Sequence, residues 1–245
     1  MITARKFWPR QSRDFASAEA PPAVAALVSL PYGPPLEGET HDMLENVPAW
    51  LGKALKNVRA GHGNLAIARL GGEDLLNRGG FKLTSPAFRD GEELDPSFTA
   101  GEEDAVAPPL EWTAPPPGAQ ELAIVVEDPD APTPEPFCHW LVWGLAPQQG
   151  KLLEGEVPPR VGKNSFSNSE WLLPDPPTGH GPHDYVFQIF ALDLPLALMP
   201  GAGRSELMAA MEGHVVGAAV LTGIYERKEG GDDFEGGWDE ADDLD

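Results

Sequence analysis

Two acidic residues, two histidines and a tyrosine have the types and spacing to build a polar binding site. Asp128 and Asp130 belong to an Asp-Pro-Asp-Ala-Pro segment, and His139 follows it closely. His183 and Tyr185 stand two positions apart in a later segment. A carboxylate beside an imidazole favours the charged ring and raises its pKa. The set therefore predicts a small polar pocket lined by N–H and O–H donors.

A simpler interpretation remains open for each residue alone, because aspartates commonly form turns and a half-buried histidine often only satisfies a local hydrogen bond.

Catalysis is the alternative from another class. Histidine with aspartate can act as a general base, but the chain has no Gly-x-Ser-x-Gly segment for a serine nucleophile. It also lacks closely spaced metal-ligand motifs such as His-x-x-x-His. We therefore predict a binding protein rather than an enzyme, with no metal and no cofactor.

Three extended segments must position these side chains. Residues 122–126 are an unbroken apolar run, which predicts a strand buried on both faces, and the prolines after it cannot continue a ladder. Residues 137–143 and 183–190 predict two further strands. Alternation places 137, 139, 141 and 143 on one face of the first, and 183, 185, 187 and 189 on one face of the second.

Composition limits the partners. The formal net charge is −22 over 245 residues, and nine acidic residues with no lysine or arginine fall in 229–245. This excess argues against nucleic acid or anionic membrane surfaces. The single cysteine, Cys138, excludes an intramolecular disulfide. No apolar run reaches the length of a membrane span, and no convincing export signal precedes residue 40, so we predict a cytoplasmic protein.

The chain divides into three predicted parts. Residues 1–76 are an N-terminal arm with an amphipathic helix that begins near Thr40, residues 77–227 are a β-rich domain, and residues 228–245 are a disordered acidic tail. Trp50 on that helix is either a packing residue or a homodimer contact. Within the domain, Ser205 is the predicted N-cap of a short helix.

Residues 81–227 resemble the phosphatidylethanolamine-binding protein family, also called the Raf-kinase-inhibitor-like family, in its bacterial branch. The segments that carry the resemblance occur in the family's order and at its usual separations: Phe81–Phe88, Pro108–Trp112, Asp128–Pro132, His139–Trp140 and His183–Asp193. The resemblance implies a mainly β protein, a two-sheet antiparallel β-sandwich with a few short helices. It also implies a phosphate-type anion pocket formed by Asp128, Asp130, His139, His183 and Tyr185. In that pocket we expect His139 and His183 to donate to the anion, Asp128 and Asp130 to orient the histidines, and Tyr185 to add a neutral donor.

Departures from the family pattern bear on the ligand. Asp184 stands where the family usually has arginine, so a cationic partner is lost, and Ser169–Asp175 replaces a glycine-rich loop. The family name also implies a regulator that binds other proteins. In this chain, the N-terminal helix and the acidic tail are the features that favour that alternative.

Overall fold

The computed structural model of this protein describes residues 53–228. These residues belong to a compact unit that spans 35–245. The predicted arm, Trp50 and nearly all of the amphipathic helix lie outside the described residues, as does the acidic tail from residue 229. The end of the helix is described, since residues 53–55 are helical.

The described residues form two packed sheets. The strands are β1 Leu83–Thr84, β2 Glu92–Glu93, β3 Leu110–Trp112, β4 Glu121–Asp128, β5 Phe137–Leu145, β6 Gly150–Leu152, β7 Arg160–Val161, β8 His183–Leu192 and β9 Val215–Tyr225. The small sheet has the order β1-β3-β6, and the large sheet has the order β2-β9-β8-β4-β5-β7. All pairs are antiparallel except β2 with β9. The predicted β-sandwich is confirmed.

Helices are few and short. They are α1 Ala66–Leu70 and α2 Arg204–Met211, with single 3-10 turns at His62–Asn64, Arg78–Gly80 and Pro96–Phe98. The predicted N-cap Ser205 is wrong, because α2 begins one residue earlier, after Gly203. The carboxylate of Glu206, the third residue of α2, reaches back and accepts the Gly203 N–H at 2.9 Å, as the glutamate of a capping box does.

Strand β4 is the centre of the fold and is buried along its whole length. Its residues 122, 124 and 126 pack into the core between the sheets, which also contains Trp112 and Phe187. Residues 123 and 125 face a second core, which contains Leu207 and Met211 of α2. Each large apolar side chain buried in this way contributes about 1.5 to 3 kcal/mol. The predicted burial of this strand on both faces is confirmed.

A β-bulge in β5 sets the direction of His139. Val126 of β4 pairs with Trp140, whereas the next residue, Glu127, pairs with Cys138, so that His139 is the extra residue. A bulge of this kind turns one side chain away from the regular alternation. The imidazole of His139 accordingly lies against the ring of Tyr185, with ring centroids 5.0 Å apart.

The bulge changes which residues of β5 share a face. Trp140 packs in the core between the sheets, whereas Leu141 and Trp143 pack in the core under α2. The predicted common face of 137, 139, 141 and 143 is therefore wrong. Strand β8 has no irregularity over the same region, and its residues 185, 187 and 189 do share the face that alternation predicts.

Buried Glu127 fastens the segment before the sandwich to the large sheet. Its carboxylate accepts the Ala66 N–H at 2.8 Å and the side-chain amide of Gln188 at 2.7 Å. The guanidinium of Arg204 from α2 forms an ion pair with the same carboxylate. Several donors thus satisfy a carboxylate that is 0% exposed, which a buried charge requires.

Replacing Glu127 by alanine tests this anchor. We expect Glu127→Ala to lower the free energy of unfolding by about 3 to 5 kcal/mol, because it leaves the mostly buried Arg204 without its partner. Urea denaturation measures the change. Glu135→Ala is the matched control, since Glu135 also pairs with Arg204 but is 55% exposed, and should lose less than about 1 kcal/mol. Equal losses in the two variants would contradict the anchor.

Candidate functional site

The corner after β4 is organised by the carboxylate of Asp128. One oxygen accepts the backbone N–H groups of Asp130 at 2.7 Å and Ala131 at 3.0 Å, which fixes the turn. The other oxygen lies 2.6 Å from Nδ1 of His183 on the neighbouring strand β8. Both side chains are almost fully buried. Asp128 is therefore a turn former and a partner of a site histidine at once.

A chain of hydrogen bonds continues from His183. Its Nε2 lies 2.6 Å from Nδ1 of His180, and Nε2 of His180 lies 2.8 Å from the carbonyl oxygen of Leu55. The two imidazole rings are buried. Both ring nitrogens of His183 thus have partners inside the protein. The direct donation from His183 to an anion that the sequence suggested would require breaking one of these bonds.

The number of protons in this series of hydrogen bonds determines the net charge of Asp128, His183 and His180 together. Three hydrogen bonds, between Asp128 and His183, His183 and His180, and His180 and the Leu55 carbonyl, need three protons. Two neutral imidazoles and a carboxylate supply only two. The three side chains therefore hold one extra proton, and their net charge is zero. Burial, and next the neighbouring His183, lower the pKa of His180, so the extra proton lies in the hydrogen bond between His183 and Asp128.

His139 presents an unpaired ring nitrogen to the site. Its Nδ1 donates to the carbonyl oxygen of Leu172 at 2.8 Å. Its Nε2 is buried and has no hydrogen-bond partner among residues 53–228. A buried polar atom without a partner costs about 1 to 3 kcal/mol and calls for an explanation, of which a ligand is one. Because Nδ1 carries the proton, Nε2 of the neutral ring is an acceptor.

The charge of His139 differs from the sequence expectation. Burial lowers its pKa below the ordinary value of 6.5, and this effect exceeds the opposing effect of Asp128 and of the bond to Leu172. The predicted rise in the pKa of this histidine is wrong. The reason is desolvation, since the ring is only 3% exposed and its hydrogen bond within residues 53–228 goes to a carbonyl oxygen and not to a carboxylate.

Tyr185 completes the wall beside His139. The two rings meet edge to face with their centroids 5.0 Å apart. Burial, reinforced by nearby acidic groups of which Asp128 is the first, raises the pKa of the Tyr185 phenol well above 10. The hydroxyl therefore keeps its proton and remains a neutral donor at any physiological pH.

Asp130 lies at the corner but turns toward different partners from those expected. Its carboxylate accepts the Asp184 N–H at 2.8 Å and forms an ion pair with Arg59 at 3.2 Å. No contact with His139 or His183 is among its hydrogen bonds and ion pairs in the described part of the chain. Arg59 supplies a cation at this corner, where Asp184 replaces the arginine that the family pattern leads one to expect.

The segment from 164 to 182 covers the site from one side. Two hydrogen bonds join Leu172 to His139. The Leu172 carbonyl oxygen accepts from the His139 ring, and the Leu172 N–H donates to the His139 carbonyl oxygen at 3.1 Å. The indole of Trp171 stacks on Phe187 with centroids 5.8 Å apart and lies 6.2 Å from the His139 ring. The altered loop thus places a large aromatic side chain beside the histidine.

Sequence reasoning missed three residues that join this cluster. His180 stands three positions before His183, and a Gly-His-Gly-Pro-His segment is a signal that could have found it. Leu55 and Arg59 contribute a carbonyl oxygen and a guanidinium from the segment before the sandwich, where no local pattern marks them. A surface depression of about 480 Å³ lies on the small sheet, and its lining includes none of the site residues.

Comparisons with known proteins place the sandwich among relatives. A family model described as phosphatidylethanolamine-binding protein matches residues 84–226. A UPF0098 protein of Pyrococcus horikoshii is 39% identical over 166 residues, covering 64% of this chain and 81% of that protein. A candidate lipoprotein of Mycobacterium tuberculosis, LppC, is 38% identical over 148 residues, covering 59% of this chain and 71% of its own.

Two solved structures resemble this one. A Chlamydia trachomatis protein described as a homolog of phosphatidylethanolamine-binding protein has a TM-score of 0.56 at 32% identity, and the match covers 60% of this chain and 97% of that one. Escherichia coli YbcL, described as a member of the mammalian family, has a TM-score of 0.55 at 25% identity, covering 60% and 99%. Residues 53–83, with Leu55 and Arg59, precede the part that the family model matches.

The pKa of His139 predicts how stability depends on pH. The unfolded chain binds a proton at this histidine as the pH falls below about 6.5, whereas the folded chain does not until a lower pH. Stability should therefore fall on acidification through this window, by at most about 1.4 kcal/mol per pH unit for this group. Urea denaturation from pH 7 to pH 5 should give a smaller slope for His139→Gln than for the unsubstituted protein. Identical slopes would contradict the assignment.

Proposed function

Because this chain belongs to the phosphatidylethanolamine-binding protein family, we propose that it binds a small anion, a phosphate or phosphoryl group, beside His139 and Tyr185. The observation that carries this proposal is the buried Nε2 of His139, which has no hydrogen-bond partner within the described residues. A ligand atom at that nitrogen would satisfy it. The protonated hydroxyl of Tyr185 is the second donor.

The geometry supports a specific mode of binding. Nδ1 of His139 is committed to Leu172, so Nε2 becomes a donor only when the ring takes up a second proton. An anion that lacks a proton must therefore bind together with a proton. A hydrogen phosphate has the alternative of donating its own O–H to the neutral nitrogen.

The acidic groups play an indirect part in this proposal. The hydrogen bond between Asp128 and His183 contains the extra proton, so the pair is neutral overall and does not repel an anion as a lone carboxylate would. Asp130 is neutralised by Arg59. The five residues proposed from the sequence thus fall into donors, His139 and Tyr185, and the charge-balanced group of Asp128, His183 and Asp130.

Binding rather than turnover is part of the proposal. Cys138, next to His139, is 2% exposed, and burial raises the pKa of its thiol far above the ordinary value, so it is no nucleophile. A regulatory role through ligand binding fits these features. No helix within residues 53–228 is long and apolar enough to cross a bilayer. Because one relative is a candidate lipoprotein, the cytoplasmic location stays a prediction.

Calorimetric titration with sulfate and with phosphate tests this mode. Sulfate has no proton to donate, so its affinity should weaken by up to tenfold per pH unit between pH 5.5 and 7.5, with uptake of one proton. The affinity for phosphate should depend on pH less steeply than the affinity for sulfate. Proton uptake is measured by repeating the titration in buffers of different ionisation enthalpy.

Substitutions of His139 distinguish anion binding with proton uptake from the other possibilities. His139→Ala should abolish sulfate binding, whereas His139→Gln keeps a neutral donor and should give weak binding that does not vary with pH. His214→Ala, at an exposed histidine of the surface, is the control and should bind as the unsubstituted protein does. Unchanged sulfate affinity in His139→Ala would overturn the proposal, and phosphatase activity that depends on His139 would replace it with the hydrolase alternative.

A further inference from the structure

Three potential metal ligands from separate segments meet at the open side of the corner. His62 comes from the 3-10 turn before the sandwich, Asp130 from the corner after β4, and Asp184 from the start of β8. One ligand atom of each lies within 4.8 Å of the other two. Nε2 of His62 and Oδ2 of Asp184 are 3.1 Å apart. The group is distinct from the buried nitrogen of His139.

Backbone hydrogen bonds hold the three ligands in place without any ion. Gly61, next to His62, donates its N–H to the Pro129 carbonyl at 2.8 Å, and Ala60 donates to the Ala131 carbonyl at 3.0 Å. The N–H of Asp184 donates to the carboxylate of Asp130 at 2.8 Å. A site assembled in advance binds its ion with little loss of conformational entropy.

The donor set suits one class of ion. One imidazole nitrogen and two carboxylate oxygens match zinc and similar divalent transition ions, whereas calcium and magnesium favour sites made of oxygen alone. Tetrahedral bonds of 2.0 to 2.2 Å place neighbouring ligand atoms about 3.4 Å apart, within the observed limit. With His62 59% exposed and Asp184 35% exposed, the ion can enter, and water can complete its coordination.

The charge balance also favours a cation. Two carboxylates and a neutral imidazole carry a charge of −2, which the guanidinium of Arg59 on Asp130 only partly offsets. Arg59 lies 3.2 Å from one oxygen of Asp130, and the carboxylate has further lone pairs for an ion. A divalent ion would neutralise the remainder and relieve the repulsion between the two acids.

We propose that His62, Asp130 and Asp184 form a binding site for a divalent transition-metal ion of the zinc class, which fastens the segment before the sandwich to the corner. No sequence motif reveals this site, because His62 and Asp184 are 122 positions apart and Asp130 and Asp184 are 54 apart. The sequence analysis accordingly predicted no metal. The proposal does not depend on anion binding, since neither His139 nor Tyr185 takes part.

Calorimetric titration of chelator-treated, full-length protein with zinc chloride tests the site. Saturable binding of one ion per chain is expected, and His62→Ala and Asp184→Asn should each weaken it at least tenfold. His214→Ala is the matched control, because His214 forms a similar exposed pair with Asp193 at 3.0 Å without taking part in the three-ligand group. That variant should bind zinc normally.

Thermal unfolding gives a second measurement. Zinc should raise the melting temperature of the unsubstituted protein and of His214→Ala, but not that of His62→Ala, because an ion that binds the folded chain through His62 stabilises it. Absence of saturable binding, or binding that survives His62→Ala, would overturn the proposal. Zinc binding that survives His62→Ala would mean that the ion binds at other acidic groups. Sulfate titration of the same variants shows whether the anion site is intact.

Discussion

The carboxylate of Asp128 is the group on which the rest of this site depends. One oxygen closes the turn after β4, and the other holds the imidazole of His183. Glu127, one residue earlier, points to the opposite face of the same strand and holds Arg204 and the Ala66 N–H. Two neighbouring acids at one strand end therefore organise both faces, because successive side chains of a strand point in opposite directions.

Burial decides the electrostatics of the cluster. His139 lies at a distance from Asp128, and its imidazole loses more from desolvation than it gains from that carboxylate, so its pKa falls. His183, in contrast, has the carboxylate in direct contact, and both of its ring nitrogens have partners inside the protein. Nε2 of His139 has no hydrogen-bond partner among the described residues.

The segment before the sandwich belongs to the site although it precedes the part that the family model matches. It contributes the Leu55 carbonyl to the histidine chain and the Arg59 guanidinium to Asp130. Backbone bonds from Ala60 and Gly61 fix it along the corner. Both the β-sandwich and the segment before it therefore contribute groups to the corner and to the hydrogen bonds of the two histidines. The division of the chain at residue 76 stays a prediction.

The sequence by itself determined the sandwich and the strand that is buried on both faces, because apolar runs, prolines and ordered motifs are local signals. It also named five site residues, and their common role in binding stays a prediction. Residues 185, 187 and 189 of β8 lie on the common face that alternation predicts, because alternation is also a local signal. Only the tertiary structure decided the direction of His139, since a bulge depends on the register with β4. It also decided which charges persist, and it brought His180, Arg59 and His62 to the corner. Desolvation and contacts between distant segments leave no trace in local sequence patterns, because they arise only when the chain has folded.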